Sequence, residues 1–588
     1  MTILTGFEKY VNIRYSDPCQ PTQPALYFKL TRKGDCPMAK HPASKNIPKD
    51  TNAGDLLLQG SILAIAGILV RFIGLLYKVP MIRILGQEGI GYYNTAYEIY
   101  NIGLILSSYS LPLAMSKLIA ARRVRRQYQD IRRVFFSGLT VSAAAGGLMT
   151  LLLLLGGDFI TMVIFKSPSS ALPLKVMAPT IFVFSIMGVI RGYFQGQGNM
   201  VPTSVSQIIE QVVHAAVSIA ASYAFMVWFA SRPNPKSYGA AGGTLGTLCG
   251  AVAALIYLAI RMLCFQRRNA RTLRRPQKIP VETWGNVYSA LFLTLTPIIL
   301  SQFVYQLSGS VDNSMFGQIM DAKGLTETQR ATLLGVYGGE YRLLSNVPVA
   351  IASSLGASMI PSIVQSRTCH RLKEVRYKIR MTIKFNMLIA IPCAVGMGVL
   401  AGPIMELIFH DNSELSANLM RIGAPAVVFF SLSTVTNAVL QGIDRMSKSV
   451  SHSAISLVLH MILVYVMLAY LDWNVYGLVI GNVTFALVVC ILNWFSIKRA
   501  LRYRQEILTT FLLPLLASFF MGGAALGIYY GTFSLTQKNS ISMLVTVPFA
   551  MMVYAVLILL LRVVTEEELP QMPFGRKILI LSKKLRLL

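Results

Sequence analysis

The sequence predicts an all-α membrane protein with about fourteen transmembrane helices. Of its 588 residues, 54% are hydrophobic and only 13% are charged, and the mean hydropathy is +0.55. Apolar segments recur at the length of about 20 residues that a helix needs to cross a hydrocarbon core about 30 Å thick. Lys and Arg cluster in short stretches between these segments. Together these features exclude a series of soluble domains.

The apolar segments define the predicted helices in chain order. They lie at residues 57–82, 92–116, 134–156, 172–194, 203–229, 239–263, 287–313, 340–363, 381–402, 420–441, 449–470, 475–497, 508–530 and 541–562. The preceding residues, 1–55, are polar and rich in proline, and they lack the apolar stretch and cleavage site of a signal peptide. We predict a disordered cytoplasmic tail. Because Met38 opens a run that resembles an ordinary bacterial start, the alternative for residues 1–37 is a mis-assigned start codon.

The net charge of +29 is placed unevenly along the chain. Basic residues crowd the loops after predicted helices two, six, eight and twelve and the final tail, while the alternate loops hold few of them. Short basic loops stay in the cytoplasm, so both termini are predicted to be cytoplasmic in a multi-pass protein of the bacterial inner membrane. This placement indicates anionic membrane lipids as partners and argues against nucleic acid.

The first twelve predicted helices contain an internal repeat. At offsets of 244 and 246 residues, distinctive positions match in the pairs Gly91 and Gly335, Tyr93 and Tyr337, Tyr97 and Tyr341, Gln195 and Gln441, Gly196 and Gly442, and His214 and His460. Such repeats are common in transporters. The predicted organisation is a tail at 1–55, a six-helix lobe at 56–265, a basic linker at 266–283, a second six-helix lobe at 284–500, a helix pair at 501–565 and a basic cytoplasmic tail at 566–588.

Several stretches resemble one known family. GILVRFIGLLYKVPMIRILGQEGIGYY, EYRLLSNVPVAIASSLGASMIPSI, RGYFQGQGNM and AVLQGIDRM are similar to segments of the multidrug/oligosaccharidyl-lipid/polysaccharide (MOP) exporter superfamily, in the branch of stage V sporulation protein B and the lipid II flippases. The resemblance implies a V-shaped pair of lobes around a central cavity that opens to alternate sides. It also implies a polyprenyl-diphosphate-linked saccharide as cargo and a C-terminal helix pair that accommodates a lipid tail.

Four basic residues are predicted to bind the substrate. An ionisable group deep in a membrane costs several kcal/mol, about 2.5–3.5 kcal/mol on insertion scales, and therefore marks a functional site by default. Arg71 lies mid-span in helix one, and Lys78 follows about two turns later on a similar face. Arg83 lies near the predicted outer end, where snorkelling to the headgroups is an alternative. Arg71 and Arg342 also match arginines of the family.

Glu98 and Arg342 occupy equivalent positions of the two repeats and carry opposite charges. We predict that they form an ion pair across the cleft that helps to close the outer side, and that a substrate diphosphate competes for Arg342. The alternative is that each residue pairs within its own lobe.

Four further residues are weaker candidates for ion coupling. Asp312 lies near the outer end of helix seven, where a carboxylate is more often solvated, and Glu210 lies in helix five. His214 and His460 could relay protons, although hydrogen bonding between packed helices is the more common role of such residues. We predict no cofactor and no metal site, with Na⁺ or H⁺ as a coupling cation, since the seven cysteines have no metal-ligand spacing.

The predicted function is that of a flippase, not an enzyme, since P-loop, GxSxG and HExxH motifs are missing from the sequence. We predict that it moves undecaprenyl-diphosphate-linked saccharide, the peptidoglycan precursor lipid II above all, from the cytoplasmic to the outer leaflet by alternating access. Cell-wall synthesis machinery is a predicted partner. The alternatives are a cation-coupled multidrug antiporter and a flippase for another polysaccharide or spore-wall precursor.

Overall fold

The computed structural model describes residues 53–268, 280–368, 370–565 and 568. The predicted N-terminal tail, including residues 1–37, lies outside the described residues except for its last few positions. The middle of the basic linker, 269–279, and almost all of the final tail also lie outside them.

The described residues are almost entirely helical and contain no β-strand. The first repeat comprises seven helices: α1 (Ala53–Leu104), α2 (Leu111–Val124), α3 (Tyr128–Phe159), α4 (Ala171–Met177), α5 (Pro179–Gly196), α6 (Val201–Trp228) and α7 (Pro235–Arg268). The second repeat comprises α8 (Trp284–Ala322), α9 (Glu327–Gly335), α10 (Arg342–Thr368), α11 (Leu372–Val399), α12 (Ala401–Phe409), α13 (Glu414–Gly442), α14 (Met446–Ala469) and α15 (Asn474–Leu501). The terminal pair is α16 (Leu513–Thr536) and α17 (Asn539–Leu560).

Twelve helical stretches in the described part of the chain are long and apolar enough to cross a membrane. The first of these, Leu69–Arg123, contains the end of predicted helix one and the whole of predicted helix two. The two predicted helices are joined within α1. A non-helical break at Gly86 (φ 66°, ψ 176°) separates them. Predicted helix eight corresponds to α10 and is not among the twelve. The all-α membrane fold is confirmed, and the number fourteen stays a prediction.

Several predicted boundaries are wrong by a few residues to two turns. Predicted helix four is divided into α4 and α5, because Pro179 starts a new helix after Ala178. Predicted helix seven is longer than expected and extends through α8 to Ala322. Predicted helix eight begins with a π-helical segment, Val336–Tyr341, before α10.

Helix α8 packs against both repeats. Near its start, Val287 and Leu291 are fully buried in a cluster that includes residues of α2 and α3 of the first repeat. Tyr288 and Thr140 of α3 are hydrogen-bonded through their hydroxyls at 2.8 Å. Near its end, Asp312 contacts α14 of the second repeat. One continuous helix therefore links the two repeats.

The terminal pair packs on the second repeat. Ala517 of α16 and Ile558 of α17 form a buried cluster with Leu388 of α11. Beyond α17, Glu568 turns back and forms a buried salt bridge of 2.6 Å with Lys384 of α11. Burial of both charges makes this pair costly to break, at about 3–5 kcal/mol. The terminal pair is thus held by apolar packing and by one buried ion pair.

The two repeats cross closely at a pair of equivalent glycines. A methyl group on Gly91 would lie 1.9 Å from the carbonyl oxygen of Ala331, and one on Gly335 would lie 1.8 Å from the carbonyl oxygen of Gln87. The offset of 244 residues relates Gly91 to Gly335 and Gln87 to Ala331. We call this contact the glycine crossing, and we call the end of the helical bundle that contains it the closed end. Only glycine allows the backbones to approach so closely.

Candidate functional site

The structure brings Glu98 and Arg342 together as an ion pair. The Arg342 Nη1 donates to Glu98 Oε1 at 2.9 Å, with side chains 33% and 15% exposed respectively. Gly309 of α8 lies against the pair, since a methyl group there would be 3.0 Å from Glu98 Oε2 and 3.2 Å from Arg342 Nη1. The predicted contact between repeats is present in this structure, and its role as a gate stays a prediction.

The pair lies on the pseudo-twofold axis that relates the repeats. Glu98 and Arg342 are equivalent at the 244-residue offset, and residues that contact their own equivalents must lie at the axis. One helical turn away, a methyl group on Gly338 would lie 2.9 Å from the side chain of its own equivalent, Asn94. The axis therefore runs from the glycine crossing through Asn94 and Gly338 to the ion pair.

Lys78 lies close to this axis among tyrosines. Its ammonium group is 5.8 Å from the ring centroid of Tyr93 and 6.0 Å from that of Tyr97. The Arg342 guanidinium is 5.9 Å from the ring of Tyr337, which is the repeat equivalent of Tyr93. Equivalent tyrosines thus hold one cation on each side of the axis. Such contacts stabilise a desolvated cation by about 2 kcal/mol without neutralising it.

Arg71 is exposed and reaches from α1 to the second repeat. Its Nη1 donates to the backbone carbonyl of Ala350 in α10 at 2.7 Å. Because that acceptor is a carbonyl rather than a carboxylate, the positive charge of Arg71 is available to an anion. Arg71, Lys78 and Arg342 therefore form a series of cations between α1 and α10.

Arg83 is separate from this series and lies at the closed end. It donates to the Ile408 carbonyl at 3.1 Å and lies 3.2 Å from His410 Nδ1. Nearby, Gln87 Nε2 donates to Asp411 Oδ2 at 2.7 Å and to Glu340 Oε1 at 3.2 Å. Arg83 and Gln87 thus connect α1 to the second repeat beside the glycine crossing.

A cavity of about 550 Å³ lies within the second repeat and includes Arg342. It reaches from Arg342 to Ser449, at the end of the bundle opposite the closed end. Arg342 is the charged residue among the described residues that line it. Amide and hydroxyl groups supply most of the remaining polarity; they belong to Gln302, Gln306, Ser345, Asn346, Ser353, Thr434, Asn437, Gln441, Ser449 and Asn482.

Asp312 and His460 form a second, fully buried pair. Asp312 is 1% exposed, so the expectation that a carboxylate at this position is more often solvated is wrong, because α14 covers it. His460 Nε2 lies 2.6 Å from Asp312 Oδ1, and His460 Nδ1 lies 2.9 Å from the Gly481 carbonyl. A carbonyl only accepts, so Nδ1 carries a proton and donates. Nε2 is then the ring nitrogen that faces the Asp312 carboxylate.

Tyr337 and Asn482 extend this buried pair toward the cavity. The Tyr337 hydroxyl donates to Asp312 Oδ2 at 3.4 Å, and Asn482 Nδ2 donates to the Tyr337 hydroxyl oxygen. Asn482 also lines the cavity. A polar path therefore leads from Asp312 to the cavity.

Glu210 and His214 lie apart from that path, in α6. Glu210 accepts a hydrogen bond from Arg191 of α5 at 2.8 Å in a mostly buried salt bridge. His214 Nε2 lies 3.2 Å from the Thr247 hydroxyl, and its ring is 4.8 Å from the ring of Tyr77. The contacts of His214 and His460 agree with the expectation of hydrogen bonding between packed helices.

Three buried charged residues, Arg191, Glu340 and Lys384, are not among those predicted from the sequence. Arg191 lies within predicted helix four, and the rule that singles out Arg71 applies to it equally. Glu340 is 1% exposed at the start of predicted helix eight and binds Ser416 as well as Gln87. Lys384 lies within predicted helix nine, but its partner Glu568 follows the last helix, and no sequence spacing predicts that contact.

Comparison with known proteins assigns the family. Residues 56–367 match the polysaccharide biosynthesis protein family, and residues 297–466 match the MatE family. The chain belongs to the polysaccharide biosynthesis protein family. As a member of this family it falls within the MOP superfamily, so the predicted resemblance is confirmed. This polysaccharide biosynthesis family member is a multi-pass membrane transporter and not an enzyme.

Two curated relatives of this family member come from Bacillus subtilis strain 168. Stage V sporulation protein B is 23% identical over 90% of this chain and 100% of its own length. Lipid II flippase MurJ is 24% identical over 77% of this chain and 84% of its own length. Among solved structures, lipid II flippase MurJ in an inward closed conformation has a TM-score of 0.60 and 14% identity, covering 84% of this chain and 98% of that one. That likeness shows the shared fold.

Proposed function

We propose that this protein flips a polyprenyl-diphosphate-linked saccharide from the cytoplasmic to the outer leaflet of the bacterial inner membrane. The peptidoglycan precursor lipid II is the proposed substrate. The observation that carries the proposal is the set of cations, Arg71, Lys78 and Arg342, between α1 and α10 beside a cavity lined by amides and hydroxyls. A diphosphate needs such cations, and a sugar needs such neutral hydrogen-bonding groups.

The same observation disfavours a cation-coupled multidrug antiporter. A cationic drug is favoured by an acidic site, whereas Arg342 is the charged residue among those that line the cavity. Glu98, the nearest acid on the axis, is already paired with Arg342. An anionic head group that displaced Glu98 from Arg342 would keep a similar charge balance at the axis. Substrate binding would then be coupled to loss of the contact that links the repeats.

The closed end supports alternating access. The glycine crossing and the contacts of Arg83 and Gln87 join the repeats at that end, while the cavity reaches the opposite end. By the distribution of basic loops, the closed end faces outward and the cavity opens toward the cytoplasm. We assign this structure to the state that receives substrate from the cytoplasmic leaflet.

We further propose that transport is coupled to protons through Asp312 and His460. In this proposal the buried pair shares one proton, and Tyr337 and Asn482 connect the pair to the cavity that contains Arg342. Release of that proton would leave an imidazole lone pair facing a carboxylate at 2.6 Å, which is strongly unfavourable. Within the described residues, no group of three or more His, Cys, Asp or Glu side chains offers a metal site.

Depletion of the protein tests the substrate. In cells without a second flippase, we expect that depletion lowers the fraction of lipid II that an externally added, membrane-impermeant enzyme can cleave. Arg71→Gln should also lower this fraction, because the substitution removes a cation from the series and leaves no buried charge unpaired. A matched control is Arg421→Gln, since Arg421 is exposed and donates to Asn418 Oδ1 at 2.8 Å, three residues earlier on the same helix. Unchanged accessibility after depletion would exclude lipid II as the substrate.

A proton gradient tests the coupling. In proteoliposomes, we expect an imposed pH gradient to stimulate flipping by the unmodified protein at least severalfold, and His460→Asn to remove the stimulation. His452→Asn is the matched control, because His452 is buried in the same helix but bonds Asn493 and Ser496 instead of a carboxylate. Stimulation by a sodium gradient alone would contradict proton coupling and leave the substrate assignment intact.

A further inference from the structure

An apolar groove lies where the second repeat ends and the terminal pair begins. It has a volume of about 350 Å³, and its walls come from α11, α13, α15 and the segment that leads to α16. Phe429, Leu432, Ile491, Trp494 and Phe511 contribute large apolar surfaces. This volume lies within the range of about 300–1,000 Å³ that is typical of ligand pockets.

A basic rim adjoins the groove at the end of α15. We define it by Lys498, Arg499, Arg502 and Arg504, four cations within seven residues. All four side chains are exposed, and none forms an ion pair with another residue of the described chain. The nearest acid in sequence, Glu506, is already paired with Arg380 at 2.6 Å. The rim therefore keeps its full positive charge.

Two residues join the groove to the basic rim. Tyr503 lines the groove and also the surface depression formed by the rim. Lys498 places its ammonium group 5.0 Å from the ring centroid of Trp494, which is part of the groove wall. An apolar slot and a cluster of unpaired cations are thus continuous, which is the arrangement that an anionic amphiphile requires.

The groove is distinct from the cavity that contains Arg342. Helix α13 supplies Phe430 and Thr434 to the cavity but Phe429 and Leu432 to the groove. None of the described residues lines both. A molecule in the groove therefore lies on the opposite side of α13 from the proposed substrate site.

We propose that the groove and the basic rim bind an anionic glycerophospholipid. One acyl chain occupies the groove, and the phosphate contacts the basic rim. A zwitterionic lipid gains little from four unpaired cations, because its own ammonium group opposes them. The lipid joins the last helix of the repeat to the segment that begins the terminal pair. This proposal is independent of the substrate and holds whichever molecule the cavity carries.

Quenching of Trp494 fluorescence tests the site. The chain has four tryptophans, so replacing Trp228, Trp284 and Trp473 by Phe leaves Trp494 as the reporter. In the purified full-length protein, we expect phosphatidylglycerol with brominated acyl chains to quench Trp494 at a concentration at least about tenfold lower than phosphatidylcholine with the same chains. In the double variant Arg499→Gln/Arg504→Gln, both lipids should quench Trp494 at the same concentration.

Two controls keep the result specific. Arg267→Gln/Arg268→Gln removes the same charge from the end of α7 and should leave the preference unchanged. A protein that retains only Trp473, at the other end of α15, should show no preference for phosphatidylglycerol. Unchanged size-exclusion elution of each variant establishes that it is folded.

Two results would overturn the proposal. Equal quenching of Trp494 by both lipids would show that the groove does not select an anionic head group. Displacement of the brominated lipid by undecaprenyl diphosphate, but not by unlabelled phosphatidylglycerol, would assign the groove to a polyprenyl tail instead.

Discussion

Reversing the charge of Glu98 or Arg342 alone should abolish transport, and reversing both should restore part of it. Glu98→Arg and Arg342→Glu each place two like charges where a 2.9 Å ion pair now lies. Loss of such a partly buried pair costs about 3–5 kcal/mol, which corresponds to a more than hundredfold change in the population of the closed state. The double variant again has one cation and one anion at the pseudo-twofold axis, with their positions exchanged. The exchange is possible because positions 98 and 342 are equivalent in the two repeats. Flipping in proteoliposomes is the measurement.

The exposed pair Lys175–Asp158 provides a matched control. Its atoms are 2.6 Å apart, but both side chains are more than a third exposed. Exposed pairs contribute about 0–1 kcal/mol, so either reversal there should leave transport nearly unchanged. A Glu98→Arg/Arg342→Glu protein as inactive as its parents would count against a closing contact between the repeats.

Alanine at Gly91 or Gly335 should prevent the closed end from forming. The added methyl group would lie less than 2 Å from a backbone carbonyl oxygen of the other repeat, and backbone cannot move aside as a side chain can. We expect transport to fall at least tenfold. In a protein without its native cysteines that carries Asn94→Cys as the labelling site, we expect the glycine substitution to make this cysteine react severalfold faster with a membrane-impermeant maleimide. Alanine favours helix over glycine by about 1 kcal/mol, so loss of helix does not account for such a result.

Gly156→Ala is the control for this substitution. Gly156 is helical, and nothing lies within 4 Å of the position that its methyl group would take. Transport and labelling should both remain at the starting level. If Gly335→Ala behaves like Gly156→Ala, the glycine crossing is not required for closure.

Sequence reasoning predicted those parts of the site that follow from periodicity and repeat. The cost of a charge within a membrane span identified Arg71, and the repeat offset placed Glu98 opposite Arg342. Both deductions need only the helix period and a symmetry operation. The same repeat also matched Gly91 with Gly335, yet the crossing itself was not foreseen. A match in sequence does not state which equivalent surfaces meet.

The burial of Asp312 could not be predicted because it depends on a second helix. Its position near the end of a predicted span indicated solvent, whereas α8 continues for ten residues to Ala322 and α14 covers the carboxylate. The contact of Lys384 with Glu568 has the same origin. In each case a neighbour distant in sequence decides the local structure.

The glycine crossing has the symmetry of an isologous dimer contact, although it lies within one polypeptide. Each repeat supplies one glycine and one backbone carbonyl to the contact. Gly91 of the first repeat approaches the Ala331 carbonyl of the second, and Gly335 of the second approaches the Gln87 carbonyl of the first. Two copies of a single repeat could therefore make both contacts at once through the same surface. When the two repeats are joined in one chain, this surface stays self-complementary. The two residues that meet at the axis no longer have to be identical. Glu98 and Arg342 use this freedom, since two identical residues at the axis could not attract each other by charge.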